Sequence, residues 1–167
     1  DIAAGKKTIA DLDKVLEQND SLFPPSALRM YFTVDHDENS WNGTEYEKMG
    51  PAAKAFAVMT FTLPGIPLIY SGQEAANKKR LRFFDKDTIR WDNYPLQSFY
   101  HQLLQLKNAD PALSADGHAS FTRIKTAPGL PLYAYLRRNG ESALVVVLNL
   151  SGKPQRFSLA DLPLEGY

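Results

Sequence analysis

Tyr31-Phe32-Thr33-Val34-Asp35-His36-Asp37-Glu38-Asn39-Ser40-Trp41 decides how this chain reads, because an apolar, β-type run breaks off into three acids, a histidine and an indole. Upstream, Ala27 to Tyr31 extends the run, so the expectation is a near-continuously apolar strand over 27–34, as in a parallel strand covered on both faces. Such strands deliver polar residues from their carboxyl ends into sites, since the packed strand fixes the root of a loop that is free to vary.

Outward from this stretch, the chain alternates elements. Before it, Ile9, Leu12, Val15 and Leu16 recur at helical spacing behind Thr8, a good N-cap. Pro24-Pro25 ends that helix. After it, Pro51 to Leu63 reads as a helix of small residues, Pro64-Gly65 breaks it, and Ile66 to Tyr70 reads as a second strand running into Ser71-Gly72-Gln73-Glu74. Strand, helix and strand make a right-handed βαβ unit, so 28–34 and 66–70 are expected to pair in parallel. Lys78 to Asp87 is a charged run, read first as a solvated face and second as loop or substrate contacts. Leu96 to Asn108 carries a broad apolar helical face.

Beyond Asp110-Pro111 the periodicity changes to alternation in 119–124, 132–137 and 143–150, with a further strand expected from Pro154 to Leu159. Turns at Pro128-Gly129, Asn139-Gly140 and Ser151-Gly152 separate these runs, and Asn139-Gly140 is a tight-hairpin signal. The second part therefore reads as an antiparallel sheet starting near residue 113.

Composition narrows the functions. Lys plus Arg and Asp plus Glu balance at 19 each, so no net field draws the chain to nucleic acid or to an anionic membrane. A hydrophobic share of 44% with 11% aromatics is that of a globular protein. No run approaches the ~20 apolar residues of a membrane span. The absence of cysteine excludes disulfides and thiolate metal sites but does not decide compartment.

Phe32–Thr44, FTVDHDENSWNGT, followed by Gly65–Glu74, GIPLIYSGQE, resembles the late part of the catalytic barrel of α-amylase family glycoside hydrolases. The resemblance covers nearly the whole chain. It implies an α/β plus β fold: the last two β/α units of a (β/α)8 barrel over 1–112, then part of an antiparallel β-sandwich over 113–167. A barrel needs eight strands, so about six would precede these two, and the expectation is a piece of a retaining glycosidase acting on α-glucan or maltooligosaccharide and inactive alone. The resemblance makes Asp37 the transition-state-stabilising carboxylate and His36 a ligand of sugar hydroxyls. Asp35 and Trp41 are further substrate contacts, with the indole either stacking on sugar or covering the barrel mouth. Glu38 and Glu74 support, Glu74 as a hydrogen-bond acceptor. No cofactor is expected in this chain, and calcium is compatible with the parent protein. The nucleophile and acid, which retaining enzymes hold about 5–5.5 Å apart, have no counterpart here.

Asp35 departs from the family, which has Asn at that position. An aspartate only accepts hydrogen bonds, and its charge is expected to oppose that of Asp37 two residues on along one strand face. The same alternation turns His36 away, which argues against a metal site made from the three. Two other readings stay open: a non-catalytic carbohydrate-binding relative, and an unrelated α/β binding domain. Export to the cell exterior or periplasm suits a polymer-degrading enzyme, and a cytoplasmic maltodextrin enzyme is equally compatible.

Overall fold

The computed structural model describes residues 1–24 and 26–156. Its elements are a mixed α/β set with a small parallel sheet and a three-stranded antiparallel sheet. Helix α1 (Ile9–Leu22) starts at Thr8, whose hydroxyl accepts from Asp11 N while the Asp11 carboxylate accepts from Thr8 N, a reciprocal capping box. Of the four residues at helical spacing, Ile9, Leu12 and Leu16 pack on the main core, while Val15 is 53% exposed.

Strands β1 (Met30–Tyr31) and β2 (Ile66–Pro67) pair in parallel, Met30 opposite Ile66 and Tyr31 opposite Pro67. The parallel sense is the expected one, but both strands are far shorter than their apolar runs. Pro67 has no amide to donate, so the ladder cannot extend continuously through it. Ile66 N donates to Arg29 O at 2.8 Å and Leu68 N to Tyr31 O at 2.9 Å, and Phe32 onward lies outside the ladder. The expected helix from Pro51 divides into a 3-10 turn (Gly50–Ala52) and the α-helix that follows it.

Between β1 and β2 the chain forms helix α2 (Glu45–Met49), this 3-10 turn and then α3 (Ala53–Thr62). Sequence reading missed α2, although Thr44-Glu45-Tyr46-Glu47 carries its signature: Thr44 Oγ1 accepts from Glu47 N at 3.3 Å, and Glu47 Oε2 accepts from Thr44 N at 2.8 Å. Helix α4 (Gln97–Ala109) lies where its apolar face predicts and packs Tyr100 and Leu103 against Ala57 and Phe61 of α3.

The antiparallel sheet is the meander β3 (Ser120–Ile124), β4 (Leu132–Asn139) and β5 (Ser142–Asn149). Gly140, at φ +59°, is the first residue of the two-residue loop that reverses β4 into β5. Alternation sorts the faces. Tyr133, Tyr135, Val146 and Leu148 join Met59 and Leu63 in the main core, so α1 and α3 cover one face, while Ile124, Ala134 and Leu136 cluster on the other. Tyr135 hydroxyl meets Thr62 Oγ1 at 2.5 Å in the middle of the main core, where both residues are fully buried. Helices α1 and α3 and one face of the antiparallel sheet therefore share the main core. Pro154 to Arg156 belong to no strand, and the rest of the strand expected there, from Phe157, lies outside the described residues.

Candidate functional site

Two residues beyond β1, Thr33 and Val34 are still buried, and the next three side chains emerge. What turns the chain here is Asp35: its Oδ1 accepts from Glu38 N at 2.8 Å and its carbonyl oxygen from Asn39 N at 2.9 Å. These bonds start a helical turn that passes into a single π-helical segment, Glu38–Asn42. Short π segments of this kind concentrate at functional sites. Asn and Asp are equally good acceptors at a helix start, so an Asn at this position could make the same cap.

This corrects the expectation built on strand alternation. The backbone at His36 and Asp37 is helical, with Asp37 at φ −68° and ψ −54°, and His36 does not turn away from the carboxylates. One potential ligand atom from each of Asp35, His36 and Asp37 lies within 4.8 Å of the other two, and His36 Nε2 is 3.7 Å from Asp37 Oδ2. His36 and Asp37 are exposed, 67% and 60% by side chain, so both reach solvent and anything bound there. As a metal site the trio is a poor match to calcium, which takes six to eight oxygen ligands. Two carboxylates and an imidazole offer too few oxygens and add a nitrogen.

The surrounding loop is tightly held. Asn39, 2% exposed, accepts from Leu81 N through Oδ1 at 2.6 Å and donates through Nδ2 to Lys79 O at 3.4 Å, and Ser40 Oγ donates to Leu81 O at 2.7 Å. Glu38 accepts from Asn42 Nδ2 and Lys48 Nζ, both at 2.9 Å, and these donors hold its carboxyl below the usual range. The charged run 78–87 is largely exposed, a solvated face as expected, and it is also held in place. Lys79 pairs with Asp87, Arg80 pairs with Glu47 at 2.9 Å, and the run is stitched to the site loop.

That stitching places two aromatic residues which sequence reading passed over. Phe83 stacks on His36 with ring centres 5.9 Å apart and planes 22° apart, and it also meets Trp41 at 5.4 Å and Phe84 at 4.8 Å. Trp41 is 58% exposed and Phe84 83% exposed. Trp41 is therefore not core here. With Phe83 and Phe84 it forms an open aromatic ledge beside His36 and Asp37. The adjacent pair Phe83-Phe84, in a run otherwise almost all charged, was the signal available in the sequence.

Behind the ledge, Gln73 bolts the two post-strand loops together. Its Nε2 donates to Thr33 Oγ1 at 2.7 Å, and its Oε1 accepts from Tyr70 N at 2.8 Å. Glu74 lies one residue on. No hydrogen bond reaches its buried Oε2 among the described residues; the bond it makes is through its main-chain carbonyl, from Leu96 N at 3.0 Å. Glu45, Tyr46 and Tyr100 complete this interior polar group. Burial pushes the Glu45 carboxyl up, and burial, with the Glu45 charge adding, pushes the Tyr46 phenol up to about 12.

Arg80 holds the exposed Glu47 carboxyl down to about 2, with Thr44 N–H adding to the effect. A carboxyl depressed below its ordinary 4.5 contributes fully above about pH 4.5 and loses that contribution as the pH falls to about 2. Glu47→Gln is therefore expected to lower stability at neutral pH, with the gap to the native chain closing between pH 4.5 and 2 in acid unfolding. A gap that stays constant to pH 2 contradicts the tie.

No protein-family model matches the chain. Over 143 residues it is 37% identical to the α-amylase MalA of Haloarcula japonica, a match covering 82% of this chain and 20% of MalA. The chain is a homologue of the α-amylase family. It is also 21% identical over 173 residues to α-amylase 2 of Dictyoglomus thermophilum, covering 95% of this chain and 29% of that one. Among solved structures, the maltogenic α-amylase AmyB of Thermotoga neapolitana superposes with a TM-score of 0.77 at 22% identity, over 90% of this chain and 35% of AmyB. An α-amylase from Lactobacillus plantarum gives 0.72 at 24% identity, over 90% and 34%. This α-amylase homologue thus spans between a fifth and about a third of the proteins it matches.

Proposed function

We propose that this chain is the late part of a retaining glycosidase that hydrolyses α-glucosidic bonds in starch-like polysaccharides or oligosaccharides. In this reading residues 1–112 are the last two units of a (β/α)8 barrel and 113–167 the start of a β-sandwich. The observation that carries it is the exposed Asp37 and His36 just past a parallel strand, beside an aromatic ledge, in a chain 37% identical to an α-amylase.

Each group then has a task. Glycosidic cleavage passes through an oxocarbenium-like state. The Asp37 carboxylate faces the growing positive charge and stabilises it more than it stabilises the neutral substrate, which is what accelerates the step. His36 donates to or accepts from sugar hydroxyls, and Asp35 starts the helical turn that presents both. Trp41, with Phe83 and Phe84, offers flat apolar area for the faces of sugar rings, and Glu38 and Glu74 back the loop and the strand end. In this reading the nucleophile and acid belong to parts of the parent protein that this chain does not span.

Two measurements test this reading. The purified chain is expected to release no reducing sugar from starch, and release by a clean preparation contradicts the assignment of the reacting pair to other segments. In the full-length protein, Trp41→Ala or Phe84→Ala is expected to raise KM for maltooligosaccharide about tenfold, the equivalent of about 1.4 kcal/mol of aromatic contact, with little change in kcat. An unchanged KM in both removes the ledge from the site. A non-catalytic carbohydrate binder would keep the ledge's affinity, yet the full-length protein would show no turnover.

A further inference from the structure

Beside the aromatic ledge, the turn that Asp35 starts gathers donors of two kinds: carboxylate oxygens of Asp35 and Asp37 and an imidazole nitrogen of His36, one atom from each within 4.8 Å of the other two. Among the described residues no other three histidine or acidic side chains come so close together. Extended backbone would point His36 away from both neighbours, and the helical backbone at 36 and 37 brings it back. His36 Nε2 stands 3.7 Å from Asp37 Oδ2, and both side chains are open to solvent. Two ligand atoms 3.7 Å apart, each bound at about 2.1 Å, subtend roughly 120° at a shared ion, an angle that zinc accepts readily.

The donors are also supported and uncompensated. Asp35 Oδ1 accepts from Glu38 N at 2.8 Å, which fixes that carboxylate and leaves Oδ2 without a hydrogen bond among the described residues. Phe83 stacks on the His36 ring and limits its rotation. Supporting contacts of this kind orient metal ligands. The basic groups of the loop are spent elsewhere: Lys48 on Glu38, Lys79 on Asp87 and Arg80 on Glu47. Neither Asp35 nor Asp37 has a Lys or Arg ion-pair partner among the described residues, so two carboxylate charges face one imidazole. Imidazole with carboxylate suits zinc, iron, nickel or copper, whereas calcium and magnesium take oxygen ligands.

We propose that Asp35, His36 and Asp37 form a surface site for a divalent transition-metal ion of the zinc type, held by one oxygen from each aspartate and one nitrogen of His36. Binding rests on the donor geometry alone and not on the glycosidase function. Under that function it has one consequence: the ion and the sugar compete for His36 and Asp37.

The test is calorimetric titration of the whole chain with zinc chloride and, separately, with calcium chloride, which needs no enzymatic activity. Zinc is expected to bind saturably at a single site, with calcium far weaker. Loss of an outer-shell partner typically costs about 10–100-fold in metal affinity, and loss of a ligand costs at least as much, so His36→Gln and Asp35→Asn should each weaken zinc by about tenfold or more. Asp35→Asn is the sharper variant, because an Asn still accepts from Glu38 N and the turn is kept while the charge is removed. His118→Gln, at an exposed histidine next to the turn at Asp116, is the control for adventitious binding and should leave the affinity unchanged. No zinc binding by the native chain, calcium bound as tightly as zinc, undiminished binding in either His36→Gln or Asp35→Asn, or loss of binding in His118→Gln overturns the proposal.

Discussion

Under the proposed glycosidase function, replacing Asp37 with Asn in the full-length protein is expected to lower kcat by about 10²–10³-fold, the range found when one preorganised electrostatic partner of a transition state is lost. The reasoning begins with exposure. Among the described residues no hydrogen bond that shapes the loop runs through Asp37, and its close ionisable neighbours are His36, 3.7 Å away and equally open, and Asp35, within 4.8 Å. Asn is nearly isosteric, so the turn through Glu38–Asn42, which hangs on Asp35, Asn39 and Ser40, keeps its geometry. What changes is charge at the point where the reading puts the developing oxocarbenium. An interaction made chiefly in the transition state is lost from kcat and from kcat/KM together. Loss confined to KM would make Asp37 a binding residue only, and unchanged kinetics would remove it from the site. Asp35→Asn is the companion substitution: an Asn at that position still accepts from Glu38 N, so stability should stay within about 0.5 kcal/mol, the ordinary range for tolerated surface changes.

The contrast between these two aspartates marks how far the sequence could be read. The pairing sense of β1 and β2, helices α1 and α4 and the antiparallel meander were legible because apolar spacing and Gly/Pro punctuation are local signals with one dominant outcome. Strand length was not legible. Ala27 to Val34 is apolar enough for a long strand, but the ladder stops after Tyr31, opposite Pro67, a partner that cannot donate. Side-chain direction past the strand was misread for a related reason. Alternation holds only while the backbone is extended, and the Asp35 cap ends that two residues before Asp37. Phe83 and Phe84 escaped notice because nothing local says that their loop will be stitched to residues some forty positions earlier, through Asn39 and Ser40. Long-range hydrogen bonds of that kind are tertiary facts. Helix α2, by contrast, was written plainly in its capping box and was simply overlooked.

Gly65→Ala tests whether the β1–β2 pair is truly the rigid root of the site, and it is expected to cost about 3 kcal/mol in chemical unfolding, the upper end for overpacking. A Cβ at residue 65 would lie 2.3 Å from the carbonyl oxygen of Arg29 and 2.8 Å from the Tyr31 ring. The ring can rotate away. The Arg29 carbonyl cannot, because it is the acceptor for Ile66 N at 2.8 Å and so part of the parallel pairing itself. Relieving the clash therefore moves β1 as a unit, and β1 runs directly into Thr33, tied to Gln73, and into Asp35, which starts the site turn. Gly140→Ala is the control. It also places a side chain at positive φ, +59°, but meets nothing within 4 Å, so its cost is the conformational strain alone, about 1–2 kcal/mol. The excess of Gly65→Ala over Gly140→Ala measures the forced displacement of the strand. Under the proposed function, that displacement should appear in the full-length protein as a fall in kcat/KM at temperatures where the protein is still folded, an effect that Gly140→Ala, in the β4–β5 hairpin, should lack. If the two substitutions cost the same and activity is untouched, the two-residue ladder is not what positions Asp37, and the loop bonds through Asn39, Ser40 and Gln73 hold the site without it.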